Sequence, residues 1–305
     1  MARTLTFTAA DDRFEQGLSP DNVGLELHFL GGNDVLILNR SDDFGGGNRA
    51  DMGAGADGVA NFDEAGNLIL LGDGGDTYVS RGFGSFATDA ADTVRGGAGD
   101  DVIAVETFKS LYTGDGGNDS FFSVGWQNSF LGGAGRDSIS YEPRDDNFTQ
   151  GGSGVTVDLG AGKAQTGALR FETLRGIEDV VGSGADDAIF GNREANRITG
   201  GLGGDQLTGR GGADTFIWRA AAEAGDLVTD FKSAQGDRLD LSAIDANLGA
   251  AGDQAFRLVA GFTGQAGELR LAGQVLAGDV TGDGFADFEI ALAGVSALVA
   301  GDVIL

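Results

Sequence analysis

Single large apolar residues, each flanked by small or polar ones, recur along the chain at fixed intervals. Ile103, Phe121 and Ile139 stand eighteen residues apart, and Ile189, Ile198, Leu207 and Phe216 nine apart, with Tyr78 in an equivalent setting upstream. Successive side chains of a strand point to opposite faces. One apolar residue between two polar neighbours therefore predicts a very short strand with a single inward side chain, and these eight residues are the expected core.

The stretches between them follow the nonapeptide G-G-x-G-x-D-x-U-x, where U is the apolar position. Three copies are complete: Gly96 to Ile103, Gly132 to Ile139 and Gly200 to Leu207. Partial copies centre on Asp57, Asp76, Asp119, Asp187 and Asp214, and weaker ones on Asp34, Asp92 and Asn196. Asp187, Asn196, Asp205 and Asp214 are nine apart, whereas Asp101, Asp119 and Asp137 are eighteen apart. Two nonapeptides make one coil of a roll, so both sides of each coil carry the motif in the C-terminal array. Only one side does in the N-terminal array, where half-coils such as Glu106 to Thr113 and Ser123 to Leu131 are free of it. The gaps of 25 from Asp76 to Asp101 and 23 from Asp34 to Asp57 predict a coil plus a loop, such as Arg81 to Asp89.

Glycine supplies the positive φ of a tight turn and lets stacked backbones approach. The sixth-position aspartates, stacked coil upon coil, form a ladder of like charges that is destabilising unless a cation sits between the rungs. Asp57, Asp76, Asp101, Asp119, Asp137, Asp187, Asp205 and Asp214 are thus the expected metal ligands.

Composition supports a cationic partner. Among 305 residues there are 56 Gly, 2 Pro, no Cys and one His, and the formal net charge is -27. Such charge penalises the bare compact state. It disfavours nucleic acid and anionic membranes, which need basic patches, and favours a hard divalent cation with oxygen ligands. No run of 18 apolar residues exists, so no membrane-spanning helix is expected. Met1 to Ala10 alternates like a strand and lacks the apolar core of a secretory signal peptide.

Val155 to Leu159 and Leu174 to Val181 read as buried strands leading into Asp187. From Ala220 the glycine motif stops, and Val228 to Phe231, Arg238 to Leu241 and Phe288 to Leu292 alternate like strands of an ordinary β domain. The expected organisation is an all-β chain: an N-terminal solenoid with one-sided repeats over 1–150, a parallel β-roll with Ca²⁺ between its turns over 151–218, and a C-terminal β cap over 219–305.

These residues resemble the repeats-in-toxin (RTX) family of hemolysin-type calcium-binding proteins, and the tail looks like the C-terminal domain of serralysin-type secreted proteins. The similar stretches are Gly191-Asn192, Gly212 to Phe216, Val228 to Phe231, Asp237 to Ser242, Gly252 to Phe256, Gly267 to Arg270 and Gly278 to Phe288, so the resemblance covers about residues 155 to 305. It implies several calcium ions between the turns, held by the repeat aspartates and by turn carbonyls at Gly97, Gly99, Gly117, Gly133, Gly135, Gly201 and Gly203. It also implies folding on calcium outside the cell after export by a type I secretion machinery that reads an uncleaved C-terminal signal, and Asp302-Val303-Ile304-Leu305 looks like the ending of such substrates. Serralysins carry a zinc protease domain with H-E-x-x-H, which this sequence lacks.

Asp279-x-Thr281-x-Asp283-Gly284, with Asp287 beyond, approaches an EF-hand loop without its twelfth-position Glu. Asp279 and Asp283 are candidate ligands there, against ordinary Asx turns. His28 lies in an alternating strand and is expected to be structural. No G-x-S-x-G is present, and Gly53-x-Gly55-x-x-Gly58 has no following helix to make it a dinucleotide site. The chain is therefore expected to be a secreted, non-enzymatic, structural or adhesion protein. Two alternatives stand beside this. Tyr112, Phe130 and Phe148, with Phe108 and Trp126, are spaced eighteen apart and either pack in the core or form a strip that binds extracellular polysaccharide or a cell surface. The acid pairs Asp42-Asp43 and Asp145-Asp146, the latter near Tyr141 and Arg144, allow a carboxylate-based polysaccharide-modifying enzyme.

Overall fold

The structure, a computed structural model, describes residues 3–17, 23–39, 46–62, 64–81, 91–144 and 153–305. The chain divides into two compact units, one comprising Met1–Asn147 with Gly162–Ile177, the other Phe148–Ala161 with Glu178–Leu305. Each is a parallel β-solenoid.

In the first unit the chain alternates between two parallel ladders. One stacks Arg13–Glu15, Val35–Leu38, Gly58–Phe62, Thr77–Arg81, Val102–Val105, Ser120–Ser123 and Ser138–Ser140. The other stacks Thr4–Thr6, Glu26–His28, Arg49–Asp51, Leu68–Asp73, Thr93–Ala98, Leu111–Gly116, Ser129–Ala134 and Arg170–Arg175. The register places Ile103 beside both Tyr78 and Phe121, and Tyr112 beside both Val94 and Phe130. Tyr78, Ile103, Phe121 and Ile139 are buried, as the single-residue apolar pattern requires, and Leu27, Ile69, Val94, Tyr112 and Phe130 bury from the opposite ladder to close the core. The loop expected from Arg81 to Asp89 lies, beyond Arg81, outside the described residues.

The turns between ladders depend on glycine at defined points. Gly97 and Gly99 have φ of +116° and +124°, and a Cβ on either would collide with the carbonyl oxygen of Gly72 or Gly74 one coil away. Only a residue without a side chain satisfies both the dihedral and the approach.

Residues 162–177 interrupt the period with an antiparallel hairpin, Lys163–Gly167 against Arg170–Arg175. Its second strand then takes the next place in the parallel ladder, Thr173 registering with Ser129.

In the second unit one ladder runs through Thr156–Asp158, Ala188–Phe190, Gln206–Thr208, Leu227–Val228 and Phe288–Leu292. The other runs through Asp179–Val181, Arg197–Thr199, Thr215–Ile217, Arg238–Asp240 and Val303–Ile304. Ile189, Ile198, Leu207 and Phe216 are buried between them. Parallel stacking thus runs on past residue 219, although the nonapeptide glycine motif stops there. What differs beyond 219 is an antiparallel meander of Glu268–Ala272, Val275–Asp279 and Phe288–Leu292. Among the described residues no helix is long and apolar enough to cross a membrane.

Candidate metal centre

Each repeat aspartate sits immediately before its strand, where the chain leaves the turn. In the first unit Asp34, Asp57, Asp76, Asp101, Asp119 and Asp137 form one continuous row. The backbone N–H of each donates to Oδ1 of the next, from Asp34 to Asp57 at 2.7 Å, then at 2.8, 2.8, 2.9 and 2.8 Å down to Asp137. These side chains are at most 3 % exposed. The ladder is therefore first a device for satisfying turn N–H groups, which a buried backbone requires.

The second carboxylate oxygen is different. Oδ2 of Asp34, Asp57, Asp76, Asp101 and Asp119 is buried and, among the described residues, has no hydrogen-bond donor. In the repeats of Asp101 and Asp119 it lies over the first glycine: a Cβ on Gly96 would collide with Oδ2 of Asp101, and one on Gly114 with that of Asp119. Burial, joined by the charge of nearby aspartates, raises these carboxyls, Asp101 to about 7 and Asp57 to about 6, with Asp34, Asp76 and Asp119 moved the same way. The accepted N–H bonds lower them only in part. A row of buried carboxylates, each with one oxygen lacking a donor, fits a hard cation better than it fits bare protein. Nitrogen and sulfur ligands play no part in it, which suits Ca²⁺ over transition metals. Among the described residues no three His, Cys, Asp or Glu side chains converge in a cluster able to hold a metal ion.

The second unit carries two such rows. Asp187 donates its N–H to Oδ1 of Asp205 at 2.8 Å, and Asp205 donates to Asp226 at 2.9 Å. Asn196 donates to Asp214 at 2.9 Å, and Asp214 to Asp237 at 3.1 Å. Oδ2 of Asp205 lacks a donor, and burial raises Asp205 to about 7 and Asp214 to about 6. Gly117, Gly133, Gly135, Gly201 and Gly203 hold the positive φ expected of the turns.

Two features escaped the sequence reading. Asp226 and Asp237 continue the rows past the G-G-x-G motif, each directly after a single glycine of positive φ, Gly225 at +124° and Gly236 at +94°, and their signal was a Gly-Asp pair directly preceding Leu227-Val228 and Arg238-Leu239. The half-coils without the motif also carry a ladder: Asn48, Asn67, Asp92, Ser110 and Asn128 pass N–H groups to side-chain oxygens in the same way. The eighteen-residue spacing of Asp92, Ser110 and Asn128 was its signature. Here neutral side chains replace most acids, and both oxygens of Asp92 accept hydrogen bonds, from Asn67 and Asn61.

The remaining candidates have local roles. Oδ1 and Oδ2 of Asp279 accept N–H groups from Gly282 at 2.6 Å and Gly284 at 2.9 Å, and Asp283 accepts from Phe285. Asp287 accepts from Val280 and Thr281. This is the geometry of Asx-type turns. His28 is half-buried, its Nε2 3.6 Å from Glu26.

Tyr112 and Phe130 stack inside the core, centroids 5.4 Å apart. Phe108 and Trp126 stack at 5.7 Å on an outer corner, with Lys109 over Phe108 and the Arg170 guanidinium 4.3 Å from the Trp126 ring centre. Phe108, Trp126 and Arg170 come from successive coils, so Trp126 is sandwiched. Phe148, Asp42-Asp43 and Asp145-Asp146 lie outside the described residues. Tyr141 and Arg144 are fully buried: the tyrosine hydroxyl donates to Glu172 at 3.1 Å, and Arg144 donates to the carbonyls of Thr166 and Val124.

Among curated proteins no match to the chain is found. The profile of the peptidase M10 serralysin C-terminal family matches residues 29–305, reaching well upstream of the segment whose motifs carry the resemblance. With the parallel β-roll and its aspartate ladders in place, that match over nearly the whole length makes this chain a member of the serralysin C-terminal family.

Proposed function

We propose that this is an exported calcium-dependent β-roll protein with a structural or adhesive role and no catalytic centre in these residues. The observation that carries the proposal is the row of buried aspartates whose Oδ2 atoms lack a donor. Metal-free, the row holds like charges out of water. With calcium, the same oxygens become ligands. Asp34, Asp57, Asp76, Asp101, Asp119 and Asp205 each offer one carboxylate oxygen without a donor, and among the described residues the acids do not cluster in threes, so turn carbonyls such as those of Gly97, Gly99, Gly201 and Gly203 would complete the shell. Folding and metal binding are then one equilibrium, because the rungs come together only when the coils stack.

Family membership supports export by a type I machinery into an extracellular medium rich in calcium, where such coupling turns folding on after transit. A polysaccharide or cell surface is the partner class proposed for the folded roll.

The test is a far-UV circular dichroism titration of chelator-treated full-length protein with Ca²⁺, and with Mg²⁺ as control. A cooperative gain of β signal with Ca²⁺ alone supports the proposal. A protein fully folded in chelator, with a melting temperature indifferent to calcium, overturns it.

A further inference from the structure

The carboxylates of the ladders are not alike at their ends. Both oxygens of Asp226 are satisfied by protein: Oδ1 accepts the N–H of Asp205 at 2.9 Å, and Oδ2 accepts the indole Nε1–H of Trp218 at 2.8 Å. Asp226 and Trp218 are each 1 % exposed. One coil earlier Asp205 is 2 % exposed, offers Oδ1 to the N–H of Asp187, and has no donor at Oδ2. Asp12, whose N–H donates to Oδ1 of Asp34 at 2.7 Å, and Asp237 are also closed at Oδ2 by their own chain. Oδ2 of Asp12, the first rung of its row, accepts both the N–H and the hydroxyl of Thr8, whereas its buried neighbour Asp34 has an Oδ2 without a donor. Oδ2 of Asp237 accepts the N–H of Lys232 at 2.8 Å.

We infer that Asp226 is a rung closed by the protein rather than by a cation: the Trp218 indole N–H stands at Asp226 in the role a cation plays one coil earlier at Asp205. The inference rests on the calcium reading above. Its physical basis is the stacking geometry. Asp205 has carboxylates on both sides. Asp226 has one only, and beyond it the register of Leu227 with Ala291 brings up Phe288–Leu292, with apolar Ile290 in the next place. Asp226 thus lacks the oxygens for a cation from the coil beyond, and its buried carboxylate takes donors from its own chain. Indole is a donor only and rigid, so it can serve no other partner there.

Two measurements on the full chain test this. Calcium is counted per chain after loading and gel filtration, for wild type, Asp205→Asn and Asp226→Asn. The expected result is one ion fewer for Asp205→Asn and the wild-type number for Asp226→Asn. An Asp226→Asn protein short of one ion overturns the inference. The second is a double-mutant cycle on melting temperature with Trp218→Phe, which keeps an aromatic ring and removes the N–H. Each single substitution is expected to lower Tm by about 3 °C, and the effect of Asp226→Asn is expected to shrink at least two-fold in the Trp218→Phe background. Fully additive effects mean that Trp218 only fills space, which also overturns the inference. If Asp226→Asn fails to fold, Trp218→Phe is counted in its place, and loss of an ion by it has the same adverse meaning. A wild-type protein that binds no calcium sinks the calcium reading instead, while coupling in the cycle would still establish the indole cap.

Discussion

The backbone N–H of Asp101 donates to Oδ1 of Asp119, eighteen residues on, at 2.9 Å. Oδ1 of Asp101 in turn accepts the N–H of Asp76 at 2.8 Å. Asp101 therefore does two things with two oxygens. Oδ1 ties its coil to the previous one through a hydrogen bond that needs no cation. Oδ2 lies buried beside the turn without a donor and imposes a charge cost that a cation removes.

This division separates two substitutions at one position. Asp101→Asn retains Oδ1 and the bond to Asp76, and is expected to raise the calcium midpoint of folding several-fold while leaving the calcium-saturated protein close to wild type. Asp101→Ala also orphans the Asp76 N–H, at a cost of about 1–3 kcal/mol, and is expected to stay destabilised at saturating calcium. Urea unfolding with and without calcium measures both. Equal behaviour of the two variants would contradict the separate roles of the oxygens.

Gly97→Ala tests the turn. At φ +116°, with the Gly72 carbonyl in the path of a Cβ, alanine is strained and obstructed together. A loss of about 2–4 kcal/mol is expected from urea unfolding in calcium. Gly261→Ala, where nothing lies within 4 Å of the added carbon and φ is not positive, is the control. It is expected to change stability by less than about 0.5 kcal/mol.

Trp126→Ala distinguishes packing from ligand binding at the outer corner. With Phe108 on one side and the Arg170 guanidinium 4.3 Å from the ring centre, the indole is engaged by its own coils. The expected outcome is a lower melting temperature, by about 1–2 kcal/mol of stability. Retention of the protein on immobilised polysaccharide is expected not to change. Loss of retention at unchanged stability would instead make Trp126 a sugar platform.

The roll was legible in the sequence because one inward residue per half-coil and a glycine turn leave a strict period, and Ile103, Phe121 and Ile139 could be placed from spacing alone. What stayed hidden has physical reasons. The Asn48 to Asn128 ladder needs only an oxygen acceptor before each strand, and Asn, Asp and Ser all provide one, so no single residue type marks every rung. Asp226 and Asp237 keep the rung but reach it after a single glycine, Gly225 or Gly236, instead of the full G-G-x-G turn, so the nonapeptide pattern does not extend to them. Glu172 belongs to an inserted hairpin, and its bonds to Ser123, Asn128 and Tyr141 depend on that hairpin rejoining the ladder. No local pattern encodes that return.

Acidity should stabilise the metal-free protein. Burial raises Asp101 and Asp205 to about 7 and Asp57, Asp137, Asp214 and Asp226 to about 6, from an ordinary value of 3.8. Between those values the folded chain holds more protons than the unfolded one, so folding stability falls as pH rises through that interval. The contribution is complete below 3.8 and lost above about 7. In chelator the melting temperature is therefore expected to be higher at pH 5 than at pH 8. On the proposed function calcium would act in the opposite sense, because it would bind the ionised carboxylates and have to displace the protons they hold. Uptake near pH 6.5 is expected to release protons, measurable as a buffer-dependent heat of binding in calorimetry. A metal-free protein more stable at pH 8, or binding heats independent of the buffer's ionisation enthalpy, would mean that these aspartates are already ionised in the bare fold, and the cation would then have no buried-charge cost to relieve.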